Sequence, residues 1–149
     1  MVLDSSCLIS LARSGLLPLL GRLPVQPVIL DVVEAESVDA GLARGHADAA
    51  AIEGAIAGLK RRTSGNEESV DAAVLVAARK VGTLVANDLA LGRRARNLGV
   101  RWLRTADLVV LAARTSVIDA GEARDSIIAL REAQRLTPQL AAEYLEELG

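Results

Sequence analysis

Asp4 is an ionisable residue at the end of a short apolar run, in the opening stretch MVLDSSCLIS. A buried carboxylate is costly unless it is paired, bound to a metal ion or placed at the solvent-facing end of its strand. Ser5 and Ser6 stand next to it, and either can cap a following helix, so a helix start here does not require Asp4. The position therefore favours a binding or catalytic role for Asp4.

Other acids lie after predicted strands or in the first turns of predicted helices, namely Asp31, Glu34, Glu36, Asp71 and Asp88. If Asp4 and Asp88 follow neighbouring parallel strands, they share one edge of the sheet. Like charges that converge there raise one another's pKa values unless a cation neutralises them, and oxygen ligands suit Mg²⁺ or Mn²⁺. Helix capping and a favourable interaction with the helix dipole are the alternative explanations for each acid.

Short apolar runs alternate with segments of helical period, which predicts βα units and a mostly parallel sheet. The predicted strands are MVL (1–3), PVIL (27–30), TLVA (83–86) and VRWL (100–103). The polar stretch RRTSGNEES (61–69) is predicted to bridge two helices. The predicted fold class is therefore α/β, with one domain over residues 1–149 and a C-terminal pair of helices (about 119–133 and 138–148) packed on it.

Helix starts are predicted from short cap motifs. Asp31, Ser64 and Asp119 each precede a Glu by three residues, which is the capping-box spacing. Thr137 is followed by Pro138, and proline favours the first position of a helix.

Composition excludes several classes of protein. The chain has 149 residues, 51% of them hydrophobic, and a net charge of −2, so it is neither disordered nor a wholly basic nucleic-acid binder. It has no run of about 18–20 apolar residues and no basic segment before its first apolar stretch, so we expect a cytoplasmic protein without a membrane span. One Cys and one His cannot build a zinc site alone. With no Phe, one Trp and one Tyr, base stacking on aromatic side chains is not expected.

Several segments taken in order resemble a known family. VLDSSCLISLARSG resembles the N-terminal hydrophobic–Asp–Ser/Thr–Ser signature of PIN domains, and VILDVVEAE resembles their second strand and its acid-bearing helix. ESVDAAVLVAARKVGTLVANDLALGRRARNLGV resembles their acid, Ala-rich helix, strand, Asp and Arg segment. RTADLVVLAARTSVID and RLTPQLAAEYLEEL resemble the last helices of PIN domains. The resemblance covers nearly the whole chain and implies a three-layer PIN-like domain with a sheet of four to five strands.

The resemblance implies a metal-dependent ribonuclease of the VapC toxin type, with RNA as substrate, Mg²⁺ or Mn²⁺ as cofactor and a cognate antitoxin protein as a possible partner. The family's acids fall on Asp4, Glu36, Asp71 and Asp88, of which Asp4, Asp71 and Asp88 would bind metal and Glu36 would act through water or in proton transfer. Glu36 stands three residues after Val33, as the family pattern requires, whereas Glu34 can be explained as the partner of an Asp31 cap. In the acid-rich segment before the third strand, Glu68 competes with Asp71 for the match. Supporting roles fall to Ser5, Ser6 and Asn87, and the RNA backbone is expected on Arg93, Arg94 and Arg96.

Two other functions are compatible with parts of the sequence. A haloacid-dehalogenase-like phosphotransferase requires Asp-x-Asp, but Ser6 occupies the second position. A catalytically inactive PIN fold kept as an interaction module remains an alternative, although all four acid positions are filled.

Self-association is a further expectation. PIN-family toxins, which the chain resembles, are commonly homodimers, and the small-residue segment ADAAAIEGAIA (47–57) carries Ile52, Ala55 and Ile56 along one side. We therefore expect a homodimer that uses helices from the first half of the chain. The alternative is that this helix covers the sheet of its own subunit.

Overall fold

The computed structural model describes residues 1–149 and contains one five-stranded sheet in which all neighbouring strands run parallel. The strands are β1 (Val2–Leu3), β2 (Val28–Leu30), β3 (Lys60–Arg62), β4 (Thr83–Val85) and β5 (Arg101–Leu103). Their order is β3-β2-β1-β4-β5, so the direction in which the chain adds strands reverses at β1. The predicted α/β class and the parallel sheet are confirmed.

Nine α-helices surround the sheet: α1 (Ser5–Arg13), α2 (Asp31–Glu34), α3 (Ala40–Ala43), α4 (Ala47–Ile56), α5 (Val70–Val81), α6 (Leu89–Asn97), α7 (Thr105–Arg114), α8 (Ala120–Glu132) and α9 (Pro138–Leu148). A 3₁₀ helix covers Leu17–Arg22, and a π-helical turn, Ala35–Asp39, joins α2 to α3. No helix combines the length and the apolar character that a membrane span requires.

The handedness of parallel connections explains the layers. Right-handed crossovers that add strands in opposite directions from β1 place their helices on opposite faces of the sheet. Accordingly α1 packs against α4, α7 and α8, whereas α5 packs against α2, α6, β1 and β4. One apolar core surrounds the sheet, and a second lies among α7, α8 and α9. Helices α8 and α9 lie in the two segments where the sequence predicted C-terminal helices.

Lys60–Arg62 forms strand β3, whereas the sequence predicted that residues 61–69 bridge two helices. This part of the prediction is wrong because β3 has no apolar residue to mark it: all three residues are basic. Its backbone pairs with β2 from Val28 to Leu30. Charged side chains suit an edge strand because they discourage pairing with another chain.

Two of the predicted capping boxes do not form, whereas the predicted caps at Asp119 and Thr137 are confirmed. Asp31 is the first residue of α2 and Oδ1 of its side chain accepts hydrogen bonds from Ser64, so neither residue forms the predicted capping box. Helix α5 is capped instead by Ser69, whose Oγ accepts from the amide of Ala72 at 3.1 Å. Asp119 forms the predicted capping box, and Thr137 caps the helix that starts at Pro138.

The proposed dimer face on α4 is also wrong. Ile52 and Ile56 are fully buried within the chain's own core, where α4 packs against α1 and the 3₁₀ helix. Side chains already buried in one subunit are not available to a second, so the alternative, in which α4 covers its own subunit, is the observed one.

Candidate active site

Asp4 lies at the carboxyl end of β1 and is the N-cap of α1. Its amide donates to the Val85 carbonyl of β4 (3.0 Å), and its Oδ2 accepts from Ser6 Oγ (2.7 Å) and from the Ser6 amide (3.4 Å). The expectation that Ser5 or Ser6 caps this helix is therefore wrong: Asp4 caps it, and Ser6 supports Asp4.

The carboxylate of Asp4 is buried without a compensating cation. Only 5% of the residue is exposed, and no Lys, Arg or His lies within 4.0 Å of it. Burial raises the pKa of Asp4, the negative charge of Asp71 raises it further, and the hydrogen bonds from Ser6 oppose the shift. Such an environment favours a cation beside Asp4, because a positive charge would lower the free-energy cost of burying the negative carboxylate.

Asn87 and two serines tie Asp4 to the end of β4. Ser6 Oγ accepts from the Asn87 amide (3.0 Å), and Asn87 Nδ2 donates to Ser10 Oγ (2.6 Å). The Asn87 side-chain oxygen accepts from the amide of Thr105 at 3.0 Å, which joins the network to the start of α7. These bonds fix Ser6 in the position from which it donates to Asp4.

Asp88 lies beside this network and is the N-cap of α6. Its Oδ1 accepts from the Leu91 amide (3.0 Å), so capping, the alternative considered from the sequence, does occur. Its Oδ2 makes no hydrogen bond within the protein, and the residue is exposed. Because one oxygen suffices for the cap, the other remains available to a ligand.

Asp71 lies in the first turn of α5 and is close enough to Asp4 for its charge to affect the Asp4 carboxyl. Its Oδ2 is 4.0 Å from Arg94 Nη1 of α6, and both side chains are about half exposed. Glu68, the competing residue, is exposed and makes neither a hydrogen bond nor an ion pair. The structure therefore brings Asp71, and not Glu68, into electrostatic contact with Asp4.

The π-helical turn separates Glu34 from Glu36. Glu34 Oε2 pairs with Arg61 Nε of β3 at 2.7 Å. Glu36, inside the turn, accepts at Oε2 from Ser5 Oγ (3.0 Å), next to Asp4 in the chain. An extra residue in a helical turn changes which side chains share a face, and such turns are frequent at functional sites. Only Glu36 is thus turned toward the start of α1.

The acids do not yet form a metal-ligand cluster. No group of three or more His, Cys, Asp or Glu side chains lies close enough to hold one ion. The donor chemistry nevertheless fits a hard divalent cation, since a buried, uncompensated Asp4 faces the field of a second carboxylate and Asp88 has a free oxygen.

The three arginines expected to bind RNA lie on α6, directly after Asp88. All three side chains are exposed. Arg94 also lies near an acid, because its Nη1 is 4.0 Å from Asp71 Oδ2. They form a basic surface beside the acids.

Ser10 and Arg135 were missed in the sequence. Ser10 is fully buried, donates to the Ser6 carbonyl (2.8 Å) and accepts from both Asn87 and Arg135. A usable signal was the spacing of Ser6 and Ser10, one turn apart on an otherwise apolar helix face. Nothing local marks Arg135, because it contacts Ser10 across 125 residues of sequence.

Comparison with known proteins places the chain in a family. The family model DUF3368, described as a PIN domain, matches residues 1–149. No curated protein matches the chain. The match spans the strand ends that carry Asp4 and Asp88 as well as the C-terminal helices, so it covers the whole candidate site. This chain belongs to the PIN-domain family.

Proposed function

We propose that the protein is a metal-dependent endoribonuclease that cleaves RNA phosphodiester bonds at the carboxyl edge of its sheet. PIN domains are generally nucleases, and membership of that family is the background to the proposal. The observation that carries it is Asp4, a carboxylate buried beside a second acid with no cationic side chain to balance it. Its position at the reversal of strand order is where ligands bind open α/β sheets.

Mg²⁺ or Mn²⁺, when bound, would lower the pKa of a water molecule and neutralise charge that develops on the phosphate. Asp4, Asp71 and Asp88 would hold the ion through carboxylate oxygens. Ser6 keeps Asp4 in place, and Glu36 Oε1, which is not bonded to Ser5, would accept a proton from the attacking water.

Arg93, Arg94 and Arg96 would hold the phosphates of the RNA strand. Contacts of this kind supply affinity that depends on salt and not on sequence. They also place positive charge near a site whose acids would otherwise repel the substrate.

The test is an RNA cleavage assay with the purified protein. Labelled RNA incubated with Mg²⁺ or Mn²⁺ should be cut, EDTA should stop the reaction, and Asp4→Asn should lower the rate by more than about 100-fold. Asp125→Asn, which removes an exposed acid on α8, is the matched control and should cleave normally. Unchanged cleavage by Asp4→Asn would overturn the assignment.

We also propose that the enzyme is the toxin of a toxin–antitoxin pair, works in the cytoplasm and forms a homodimer. These finer statements are supported by the resemblance to VapC-type toxins. Induced expression should arrest growth, and Asp4→Asn should abolish the arrest. Co-expression of a small protein encoded next to the gene should relieve it, whereas growth unaffected by the active enzyme would contradict the toxin role.

The homodimer is tested by sedimentation equilibrium. A result showing only monomer at about 100 μM would contradict the dimer.

A second candidate function is a PIN fold that binds a partner without catalysis. The observation that favours it is that Asp71 lies near Arg94 and Asp88 caps α6, so two of the acids already have structural partners. Addition of Mn²⁺ separates the two functions. A nuclease gains thermal stability through binding at Asp4, whereas an inactive module neither binds the ion there nor cuts RNA.

A further inference from the structure

A cleft of about 270 Å³ adjoins the candidate site on the side of the C-terminal helices. Asn87, from the β4–α6 connection, and Leu89, the first residue of α6, line it together with residues from the α8–α9 connection. Its volume is near the lower end of the range of roughly 300–1,000 Å³ found for small-molecule sites. The cleft is therefore about large enough for one nucleotide.

Two arginines whose guanidinium groups form no ion pair line this cleft. Arg135 donates from Nε to Ser10 Oγ at 2.9 Å, and neither it nor Arg104 is in an ion pair with any Asp or Glu. The guanidinium of Arg104 lies 4.8 Å from the centre of the Trp102 ring. Partial burial and the positive charge of Arg13 lower the pKa of Arg135, and the negative charge of Asp48 only partly opposes that shift, so the charge of Arg135 is held at some cost in the free protein. An anion in the cleft would offset that cost.

Besides the two arginines the lining has a polar part, formed by Asn87, Gln134 and Thr137, and a larger apolar part. Leu89, Ala106, Leu130, Leu136 and Leu140 cover much of the wall. A cleft with two cations and an apolar wall is complementary to a molecule that carries both a phosphate and a flat apolar part. Free phosphate lacks the second part.

Asn87 connects the cleft to the acids. It lines the cleft, and it also holds Ser6, which donates to Asp4. Ser10 receives hydrogen bonds from Asn87 and from Arg135, so the cationic side chain and the acidic edge share one buried hydroxyl. A ligand seated on Arg135 is thus held in a fixed relation to Asp4.

We propose that this cleft binds one nucleotide of a single-stranded RNA next to the bond that is cut, with its phosphate on Arg135 and Arg104 and its base or ribose against the leucines. The inference deepens the proposed nuclease function and rests on it. Arg135 and Arg104 are phosphate-binding contacts that position the RNA, outside the set of acids that would carry the reaction.

The test measures binding apart from cleavage. A fluorescein-labelled single-stranded hexaribonucleotide is titrated with the protein in EDTA, and its anisotropy is recorded at several salt concentrations. Arg135→Ala and Arg104→Ala should each weaken binding about 10-fold, because each removes charge-assisted hydrogen bonds to a phosphate. The slope of log affinity against log salt should fall by about 0.7 for each lost contact. Arg131→Ala removes an exposed arginine of α8 that does not line the cleft, and it should bind like the unmodified protein.

A second variant covers the case in which Arg135→Ala disturbs folding. Gln134→Glu leaves both arginines and the Ser10 contact in place, but it adds a negative charge to the cleft lining. It should weaken RNA binding about 10-fold with an unchanged circular dichroism melt, because the added charge repels a phosphate. Binding unchanged in Arg104→Ala and Gln134→Glu would overturn the cleft as an RNA subsite, as would an equal loss in Arg131→Ala.

Cleavage is measured separately, which distinguishes the two proposals. If the cleft variants weaken binding but the protein never cuts RNA with Mg²⁺ or Mn²⁺, the nuclease function fails and the nucleotide subsite stands. If the protein cuts RNA and the cleft variants bind normally, the subsite fails alone. Equal effects on a DNA hexamer would remove the restriction to RNA and overturn that part of the proposal.

Discussion

Two aspartates occupy equivalent positions after neighbouring parallel strands, yet their environments are opposite. Asp4 follows β1 and Asp31 follows β2, each directly after a buried leucine. Asp4 is buried and its pKa is raised by that burial. Asp31 is exposed, and hydrogen bonds from the Ser64 hydroxyl and amide lower its pKa.

The difference shows that the position after a strand does not by itself specify a role. Asp31 fastens the segment after β3 to the end of β2, so its charge is stabilised by the fold. The fold destabilises the charged form of Asp4 because the carboxylate is buried. A cation bound beside it would stabilise that form. Substituting Asn for each one keeps the shape and removes the charge, so the same change should have opposite consequences.

The largest expected effect is on catalysis. Asp4→Asn should lower the rate of RNA cleavage by more than about 100-fold, because it removes the central carboxylate of the proposed site. Asp31→Asn should stay within a few-fold of the unmodified protein. Single-turnover cleavage of a labelled RNA measures the rate of each variant. An equal loss of rate in the two variants would contradict the different roles given to Asp4 and Asp31.

Stability should change in opposite directions. Without added metal at neutral pH, Asp4→Asn should raise the Tm by on the order of a few degrees, because a buried charge is removed while the helix cap is kept. Asp31→Asn should lower the Tm, since the hydrogen bonds from Ser64 favour the charged form. Differential scanning calorimetry in EDTA measures both shifts, and a lower Tm for Asp4→Asn would contradict the account.

The pH dependence follows from the directions of the two pKa shifts. A raised pKa means that the charged form of Asp4 opposes folding, so the gain from Asp4→Asn is present above the folded pKa and disappears as pH falls below the ordinary value. A lowered pKa means that Asp31 stabilises the fold above its ordinary pKa and that this contribution is lost as pH falls. At acid pH the two variants should therefore converge on the unmodified protein from opposite sides. Urea unfolding between pH 3 and pH 7.5 tests this (a range chosen to bracket the ordinary Asp pKa of about 3.9).

Each of the two aspartates accepts a hydrogen bond from a serine hydroxyl, Ser6 for Asp4 and Ser64 for Asp31. Ser6→Ala removes a hydrogen bond that lowers the pKa of Asp4, so the acid side of the pH–rate profile should move to higher pH and the rate should fall about 10-fold. Ser64→Ala removes the matching bond to Asp31 and should leave the profile unchanged. A shift caused by Ser64→Ala would show that the two regions are coupled.

The smallest expected effect concerns RNA binding by the basic residues near each aspartate. Arg93→Ala and Arg94→Ala should each weaken binding about 3-fold, similarly for all sequences, and should reduce its salt dependence. Arg62→Ala, at the edge strand on the Asp31 side, is the control and should have no effect. Loss confined to one RNA sequence would mean that the α6 arginines read bases.

Sequence patterns predicted the elements whose signal is local. Four strands were marked by apolar runs, and the caps at Asp119 and Thr137 were marked by residues that act within one turn. Strand β3 was not predicted because Lys60–Arg62 becomes a strand by pairing with β2, and no local sequence pattern indicates that pairing. The Ser64 cap was wrong for the same reason, since its hydroxyl is used by Asp31 across 33 residues.

The candidate site could be predicted only as a set of acids near one sheet edge. Strand ends and the family resemblance were enough to select Asp4, Glu36, Asp71 and Asp88. Local patterns could not show that Asp71 is near Arg94, or that a π-helical turn directs Glu36 to Ser5, because both depend on packing between distant elements. The link from Arg135 through Ser10 to Asn87 is equally non-local.

The central claim is that a divalent metal ion binds at Asp4. Isothermal titration calorimetry of Mn²⁺ binding tests this claim most directly. The unmodified protein and Asp31→Asn should bind the ion with similar affinity, binding should weaken as pH falls and the carboxylates are protonated, and Asp4→Asn should lose most of it. Equal binding by Asp4→Asn, or binding of Zn²⁺ alone that depends on Cys7 or His46, would contradict a divalent-metal site at Asp4.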